Sequence, residues 1–209
     1  AYDTLARLGG KDSSFVDTPL PCNRAQTYKL KAFEQGGSRT TLSDTIRLTP
    51  FDTIAPAAPA IRSFSILGPD SARLRWQLSD SNVTRYELWL RTTNTKWQNR
   101  DTVGVQKSFT YSGLNTTDSQ YCVRLVAIDS CAANRSAFSE VHCAMQLTGQ
   151  AGNLENRLNW KAYQGFSNPD YVIQKKQNGR FQNLATVTDT SFTDTTNISC
   201  NVPETYRIQ

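Results

Sequence analysis

YCVRLVA, at residues 121–127, is the stretch of this 209-residue chain that decides its fold. Tyrosine, valine, leucine and alanine occupy every second position along it, with cysteine, arginine and valine between them. Because successive residues of a β-strand point to opposite faces, this alternation predicts a strand with one buried face. Similar stretches begin with a tyrosine at positions 28 and 206.

Two further blocks precede each tyrosine in the same order and at similar spacing. One is a serine-phenylalanine pair, at 14–15, 108–109 and 191–192, and the other is an aromatic-led block, at 2–8, 97–103 and 181–187. Two copies carry another pair upstream, Trp76 with Tyr86 and Trp160 with Tyr171. The chain is therefore a run of three repeats, with a period of roughly 90 residues.

This period suits a β-sandwich of seven short strands. In the middle repeat, alternating segments between turn residues predict strands near 60–67, 70–78, 84–92, 96–103, 107–112, 119–128 and 136–146. We therefore expect an all-β chain of tandem immunoglobulin-like β-sandwiches, of which the first and last are incomplete. The expected repeats are C-terminal strands at 1–50, a complete sandwich at 57–143 and N-terminal strands at 144–209.

The two junctions between repeats differ in length. Residues 50–59 hold three prolines, which predict a stiff, extended connection rather than a central strand. The second junction has almost no linker, because the last strand of the middle repeat runs into the next repeat near residues 142–146. We expect sandwiches placed end to end in a semi-rigid rod.

The core positions of the middle repeat resemble the fibronectin type III pattern. Trp76 lies on the second predicted strand, Tyr86 and Leu88 lie on the third, and Leu114 precedes the strand that begins at Tyr121. In that family the tryptophan fills the core and the tyrosine fixes the corner. The resemblance implies fibronectin type III-like sandwiches and indicates no particular function.

A closer resemblance rests on residues 126–131, 134–139, 141–147 and 158–166. These stretches are similar to fibronectin type III-like repeats of gliding motility-associated, type IX-secreted surface proteins of the Bacteroidetes. The resemblance implies a secreted or bacterial cell-surface location. It also implies partners among other cell-surface or secretion-system proteins, with surface glycans as a further class.

Short acidic tripeptides also resemble the O-glycosylation signal of that phylum, which is Asp, then Ser or Thr, then an apolar residue or Thr. The candidate acceptors are Thr4, Thr45, Thr53, Ser71, Thr102 and Thr195. Asp-Thr pairs are also ordinary at turns, so this alternative stays open. The Asn-x-Ser/Thr matches at Asn82, Asn115, Asn134 and Asn197 would accept N-glycans in a eukaryote.

Composition excludes several function classes. The net charge of +5 comes from scattered lysines and arginines, without the basic runs that nucleic acid binding demands. An anionic glycan or envelope surface could still use this charge. No apolar window is long enough for a transmembrane helix, so we expect no membrane insertion of this segment.

The five cysteines form no CxxC pair, so they predict disulfides in an oxidising compartment rather than a metal site. Cys122 and Cys143 fall nearly opposite each other if the last two strands form a hairpin that turns near Ala133. That geometry suits a cross-strand disulfide. Cys22 and Cys131 have no obvious local partner, and Cys200 is expected to pair beyond the end of this segment.

Catalytic groups are scarce. A catalytic triad would have to use His142, the single histidine, which lies beside a cysteine on a predicted strand and is interpreted as structural. The sequence contains no glycine-rich phosphate loop and no calcium-loop spacing of acids. We expect no catalytic residues, no metal, no cofactor and no enzyme activity.

The candidate binding surface consists of Trp89, Arg91 and Arg124. Trp89 lies on the outward face of its strand, and the third repeat has Gln174 in its place, so the fold does not require it. Either the three residues form a cation–π stack, or Trp89 contacts a sugar or a protein. Trp97 recurs as Tyr2 and Phe181 and is expected in the core.

Two functional classes fit these observations. The first is a structural or adhesive stalk of a large surface protein. The second is a set of carbohydrate-binding accessory repeats of a secreted polysaccharide-degrading enzyme. Further repeats in the full-length protein would favour the stalk, and a flanking catalytic domain with paired acids would favour the accessory.

Overall fold

The computed structural model describes residues 2–131, 134–165, 167 and 169–209. The described residues contain no helix, which confirms the all-β class. In chain order the strands are β1 (Gln26–Phe33), β2 (Thr40–Leu48), β3 (Ala60–Gly68), β4 (Ser71–Gln77), β5 (Val83–Thr92), β6 (Gln98–Gly104), β7 (Ser108–Tyr111), β8 (Tyr121–Asp129), β9 (His142–Cys143), β10 (Leu147–Ala151), β11 (Asn156–Trp160), β12 (Tyr171–Gln177), β13 (Arg180–Val187), β14 (Ser191–Asp194) and β15 (Tyr206–Ile208).

The middle repeat is a sandwich of two antiparallel sheets. One has the order β3-β4-β7 and the other has the order β6-β5-β8-β9. In the apolar core between them, Trp76 and Tyr86 pack edge to face with ring centroids 5.6 Å apart. The Tyr86 hydroxyl accepts a hydrogen bond from the Ser79 backbone N–H at 2.9 Å. Leu74 and Leu88 are fully buried, which confirms the alternation predicted for β4 and β5.

The last strand of the middle repeat is shorter than the predicted segment 136–146. Within that segment, regular pairing with β8 is confined to the two residues of β9. Upstream of β9, the hydroxyl oxygens of Ser136 and Ser139 accept hydrogen bonds from the N–H groups of Ala127 and Leu125, both at 2.9 Å. Serine side chains thus replace backbone acceptors of the ladder, and the strand is interrupted.

The third repeat shows the same two layers, with sheet orders β10-β11-β14 and β13-β12-β15. Trp160 and Tyr171 repeat the core contact, with ring centroids 5.4 Å apart. The Tyr171 hydroxyl likewise accepts a hydrogen bond from a backbone N–H, that of Tyr163, at 3.0 Å. The tryptophan and tyrosine shared by the two sequences therefore play the same structural role.

Strand pairing corrects one part of the repeat alignment. Gln174 pairs with Arg207 across β12 and β15, as Trp89 pairs with Arg124 across β5 and β8. Because Gln174 occupies the Trp89 position, Arg207 is the counterpart of Arg124. Aligning the third copy with the middle one by Tyr206 and Tyr121 would instead match Arg124 with Gln209. That alignment is therefore wrong by two residues.

A buried ion pair occupies the interior of the third repeat. The Lys175 side chain is 3% exposed, and its Nζ lies 3.2 Å from Asp194 and 3.4 Å from Glu204. Tyr206 donates a hydrogen bond to Asp194 at 2.7 Å. Burial raises the pKa of Asp194, but the Tyr206 hydrogen bond and the Lys175 charge outweigh burial and lower it. The network keeps these buried charges paired.

The first repeat differs from the expectation. The blocks at 2–8 and 14–15 are expected to match sandwich strands, but residues 2–25 contain no strand. In the middle repeat, the corresponding strands β6 and β7 pair with β5 and β4. Among the described residues, no strand equivalent to β4 or β5 lies beside these blocks for them to pair with. The described sheet of this repeat is the β1-β2 hairpin.

A disulfide joins the first repeat to the middle one. Cys22 bonds to Cys131, with Cα atoms 5.6 Å apart. The carboxylate of Asp129, which is 1% exposed, accepts hydrogen bonds from the Cys131 and Asn134 N–H groups, both at 3.0 Å. The Asn134 amide also donates to the Asp52 carbonyl at 2.9 Å. Asp129 therefore fixes the backbone at Cys131, which carries this inter-repeat bond, and at Asn134.

A second disulfide lies within the middle repeat. Cys122 on β8 stands directly opposite Cys143 on β9, and the two are bonded. The turn expected near Ala133 lies outside the described residues. Cys200 is a free, exposed cysteine.

We expect a non-reduced digest to yield two cross-linked peptides, one joining Cys22 to Cys131 and the other joining Cys122 to Cys143. Native alkylation should modify Cys200, because its thiol is exposed and unbonded. Peptide mass mapping measures both results, with a Cys200→Ser variant as the control for alkylation. A peptide that joins Cys131 to Cys143 would contradict this connectivity.

Candidate functional site

The candidate binding surface lies on the outer face of the β6-β5-β8-β9 sheet. Tyr86 and Leu88 point into the core, so the alternate positions of β5, among them Trp89 and Arg91, point outward. Trp89 pairs directly with Arg124 on β8. The structure brings all three predicted residues together, and each is partly buried.

Aromatic rings surround the two arginines of this face. The Arg124 guanidinium carbon lies 3.5 Å from the ring centroid of Phe138, 4.5 Å from that of Trp97 and 5.7 Å from that of Trp89. The Arg91 guanidinium carbon lies 4.7 Å from the Trp97 centroid. We call these five residues the arginine–aromatic cluster. The cation–π stack, one of the two alternatives, is present in the structure.

The expectation that Trp97 lies in the core is wrong. Its ring contacts the two arginines of the outer face instead, and Phe181 of the third repeat likewise lies under an arginine, with the Arg207 guanidinium carbon 4.3 Å from its centroid. In these two repeats the aromatic residue at this position therefore supports an arginine. Phe138, which the sequence analysis missed, sits on an irregular segment without an alternating pattern.

Charges on this face are unevenly paired. Glu87 forms an ion pair with Arg135 and accepts a hydrogen bond from Trp89 Nε1 at 3.1 Å. The Arg135 hydrogen bond lowers the pKa of Glu87, although partial burial opposes it. Within the described residues, Arg91 and Arg124 have no carboxylate partner, and their buried Nε atoms have no hydrogen-bond acceptor. The cluster thus presents two cations without an anion.

His142 is part of the second junction between repeats. It is 3% exposed, and its Nδ1 lies 2.7 Å from the hydroxyl of Tyr163 in the third repeat. That hydroxyl accepts a hydrogen bond from the Phe64 N–H at 3.3 Å, so it can donate to a neutral imidazole. A Cβ at Gly165 would collide with the His142 ring, so only glycine permits this approach. Tyr163 could not be identified from the sequence, because nothing in the strand pattern marks a residue that contacts a neighbouring repeat.

The candidate O-glycosylation residues are mostly on the surface. Ser71 is partly buried at the start of β4. The others are exposed, namely Thr4, Thr45, Thr53, Thr102 and Thr195. The location of these hydroxyl groups is compatible with modification, which remains a prediction.

The described residues contain no group of three or more His, Cys, Asp or Glu side chains that could hold a metal ion. The described part of the chain also has no helix that is long and apolar enough to cross a membrane.

Comparisons with known proteins give limited similarity. No family model matches the chain. Exoglucanase B of Cellulomonas fimi is 36% identical over 75 residues, which cover 34% of this chain and 7% of that enzyme. The sequence similarity therefore spans a small fraction of its length.

Three solved structures show distant likeness. A myokine structure is 19% identical, with a TM-score of 0.37, and the match covers 43% of this chain and 95% of that one. FN3tt is 19% identical, with a TM-score of 0.35 and coverage of 44% and 97%. The FN1–FN3 domains of chicken CNTN1 are 15% identical, with a TM-score of 0.36 and coverage of 80% and 66%.

We expect acid to weaken the second junction. Burial lowers the pKa of His142 from 6.5, although the charge of nearby Glu140 opposes this shift. The folded state therefore favours the neutral imidazole, which stabilises the protein above the unfolded pKa and stops doing so as the pH falls through the folded pKa.

The urea midpoint should fall between about pH 7.5 and about pH 5, and it should fall less in a His142→Gln variant, which cannot be protonated there. Identical pH profiles for the two proteins would contradict a buried, neutral His142.

Proposed function

We propose that this chain is a non-catalytic spacer that carries tension within a larger secreted or cell-surface bacterial protein. The Cys22–Cys131 disulfide carries the proposal, because it closes a loop with a sequence separation of 109 residues. Strands β1 to β8 all lie inside that loop. Tension along the chain passes through the disulfide and bypasses these strands, so β3 to β8 of the middle sandwich are protected from being pulled apart.

Contacts at the second junction support the same role. The Cys143 N–H donates to the Gln164 carbonyl at 3.0 Å, which links the end of the middle repeat to the third repeat. The contact of His142 with Tyr163 lies beside it. Hydrogen bonds and packing at both junctions restrict how successive repeats rotate, as a spacer that sets a distance requires.

The proposed location is the outside of a bacterial cell. Two disulfides favour an oxidising compartment. The resemblance to type IX-secreted surface proteins supports export by that system and a role in gliding or surface attachment. Other cell-surface or secretion-system proteins are the proposed partners, and the exposed threonines that follow aspartates are proposed acceptors of O-glycans.

A second candidate function is a carbohydrate-binding accessory of a secreted polysaccharide-degrading enzyme. The similarity to part of an exoglucanase favours it. The open arginine–aromatic cluster is a suitable contact surface for such a role. The spacer remains the preferred proposal, because both disulfides and both junctions contribute to it.

Small-angle X-ray scattering of the whole chain tests the spacer. Replacing Cys22 and Cys131 together by serine should increase the radius of gyration and broaden the distance distribution, because the first repeat would then be held by residues 50–59 and a few hydrogen bonds.

A Cys200→Ser variant is the matched control, since Cys200 is exposed and unbonded, and its scattering should equal that of the parent. Scattering that does not change when the Cys22–Cys131 bond is removed would overturn the proposal.

A further inference from the structure

Arg91 and Arg124 are diagonal neighbours on one sheet face, and both stack on the Trp97 ring. Stacking orients a guanidinium but does not neutralise it. Two like charges this close repel each other, and an anion bound to both would offset that repulsion. Among the described residues, neither arginine has a carboxylate that would supply this offset.

The terminal nitrogens of both arginines are available for a ligand. Each Nε atom is buried without an acceptor among the described residues, whereas the terminal nitrogens are not buried and have no partner in that part of the chain. A guanidinium fork matches the two oxygens of a carboxylate. The stacked rings hold both forks in place, so less side-chain entropy is lost on binding.

The third repeat provides an internal comparison at the same position. Arg207 stacks on Phe181 as Arg124 stacks on Trp97, but its Nε donates a hydrogen bond to Gln174. The middle repeat has Trp89 in place of Gln174, which removes that acceptor. The third repeat thus shows an arginine satisfied by its own sheet, while the middle repeat leaves Arg124 open.

The surroundings of the two arginines favour a sugar acid over an acidic peptide. Trp97 places aromatic surface beside both cations, and Trp89 and Phe138 add aromatic surface beside Arg124. The apolar C–H face of a pyranose ring can pack on such surface while its carboxylate reaches a guanidinium. A glutamate side chain offers the carboxylate but no comparable flat face.

We propose that the arginine–aromatic cluster binds the carboxylate of a uronic acid in an acidic polysaccharide, through Arg91 and Arg124. This inference does not rest on the spacer role, because a chain that lacked the site would still set a distance.

Isothermal titration calorimetry of the whole chain with polygalacturonate, at near-physiological salt, tests the site. Arg91→Gln and Arg124→Gln should each weaken binding roughly tenfold or more, because each removes a charge-assisted fork. Arg207→Gln is the matched control, since it removes the same charge from a satisfied arginine and should leave affinity unchanged. The urea midpoint of each variant checks folding.

Trp89→Gln, which copies the third repeat without changing the charge, should also weaken binding. Three results would overturn the proposal: no binding by the parent chain, equal losses in the Arg124→Gln and Arg207→Gln variants, or binding of poly-glutamate as tight as that of polygalacturonate. The second would reveal attraction to net charge alone, and the third an acidic-peptide site.

Discussion

The packing of one tryptophan on one tyrosine in each sandwich determines where the other side chains point. Tyr86 is buried against Trp76, and its hydroxyl is held by a backbone N–H, so β5 cannot slip by one residue without exposing that tyrosine. Trp89 and Arg91 must therefore face outward. The third repeat keeps the same contact through Trp160 and Tyr171. The core and the candidate site are consequences of a single strand register.

Strand alternation allowed much of this to be predicted from the sequence. Leu74, Trp76 and Leu88 follow a two-residue period that a half-buried sheet imposes, and the repeat made the period easy to recognise. The same logic brought Trp89, Arg91 and Arg124 to one face. The position of Trp97 was predicted wrongly, because it was inferred from recurrence. Recurrence shows that an aromatic residue is needed but not on which side of the sheet it lies.

Long-range and irregular features could not be predicted from the sequence pattern. The bond between Cys22 and Cys131 joins two repeats across 109 positions, and no local periodicity reports such a contact. Ser136 and Ser139 interrupt the last strand through side-chain hydrogen bonds, which a propensity for strand does not capture. Residues 2–25 have strand-like composition, but no strand for them to pair with lies among the described residues.

The central claim is that the chain carries tension through the Cys22–Cys131 disulfide rather than through the middle sandwich. Pulling the oxidised chain from its two ends in a single-molecule force experiment tests it directly. We expect no extension from residues between the two cysteines, and a gain of roughly 360–390 Å once reductant opens the loop. Full extension of the middle repeat before reduction would contradict it.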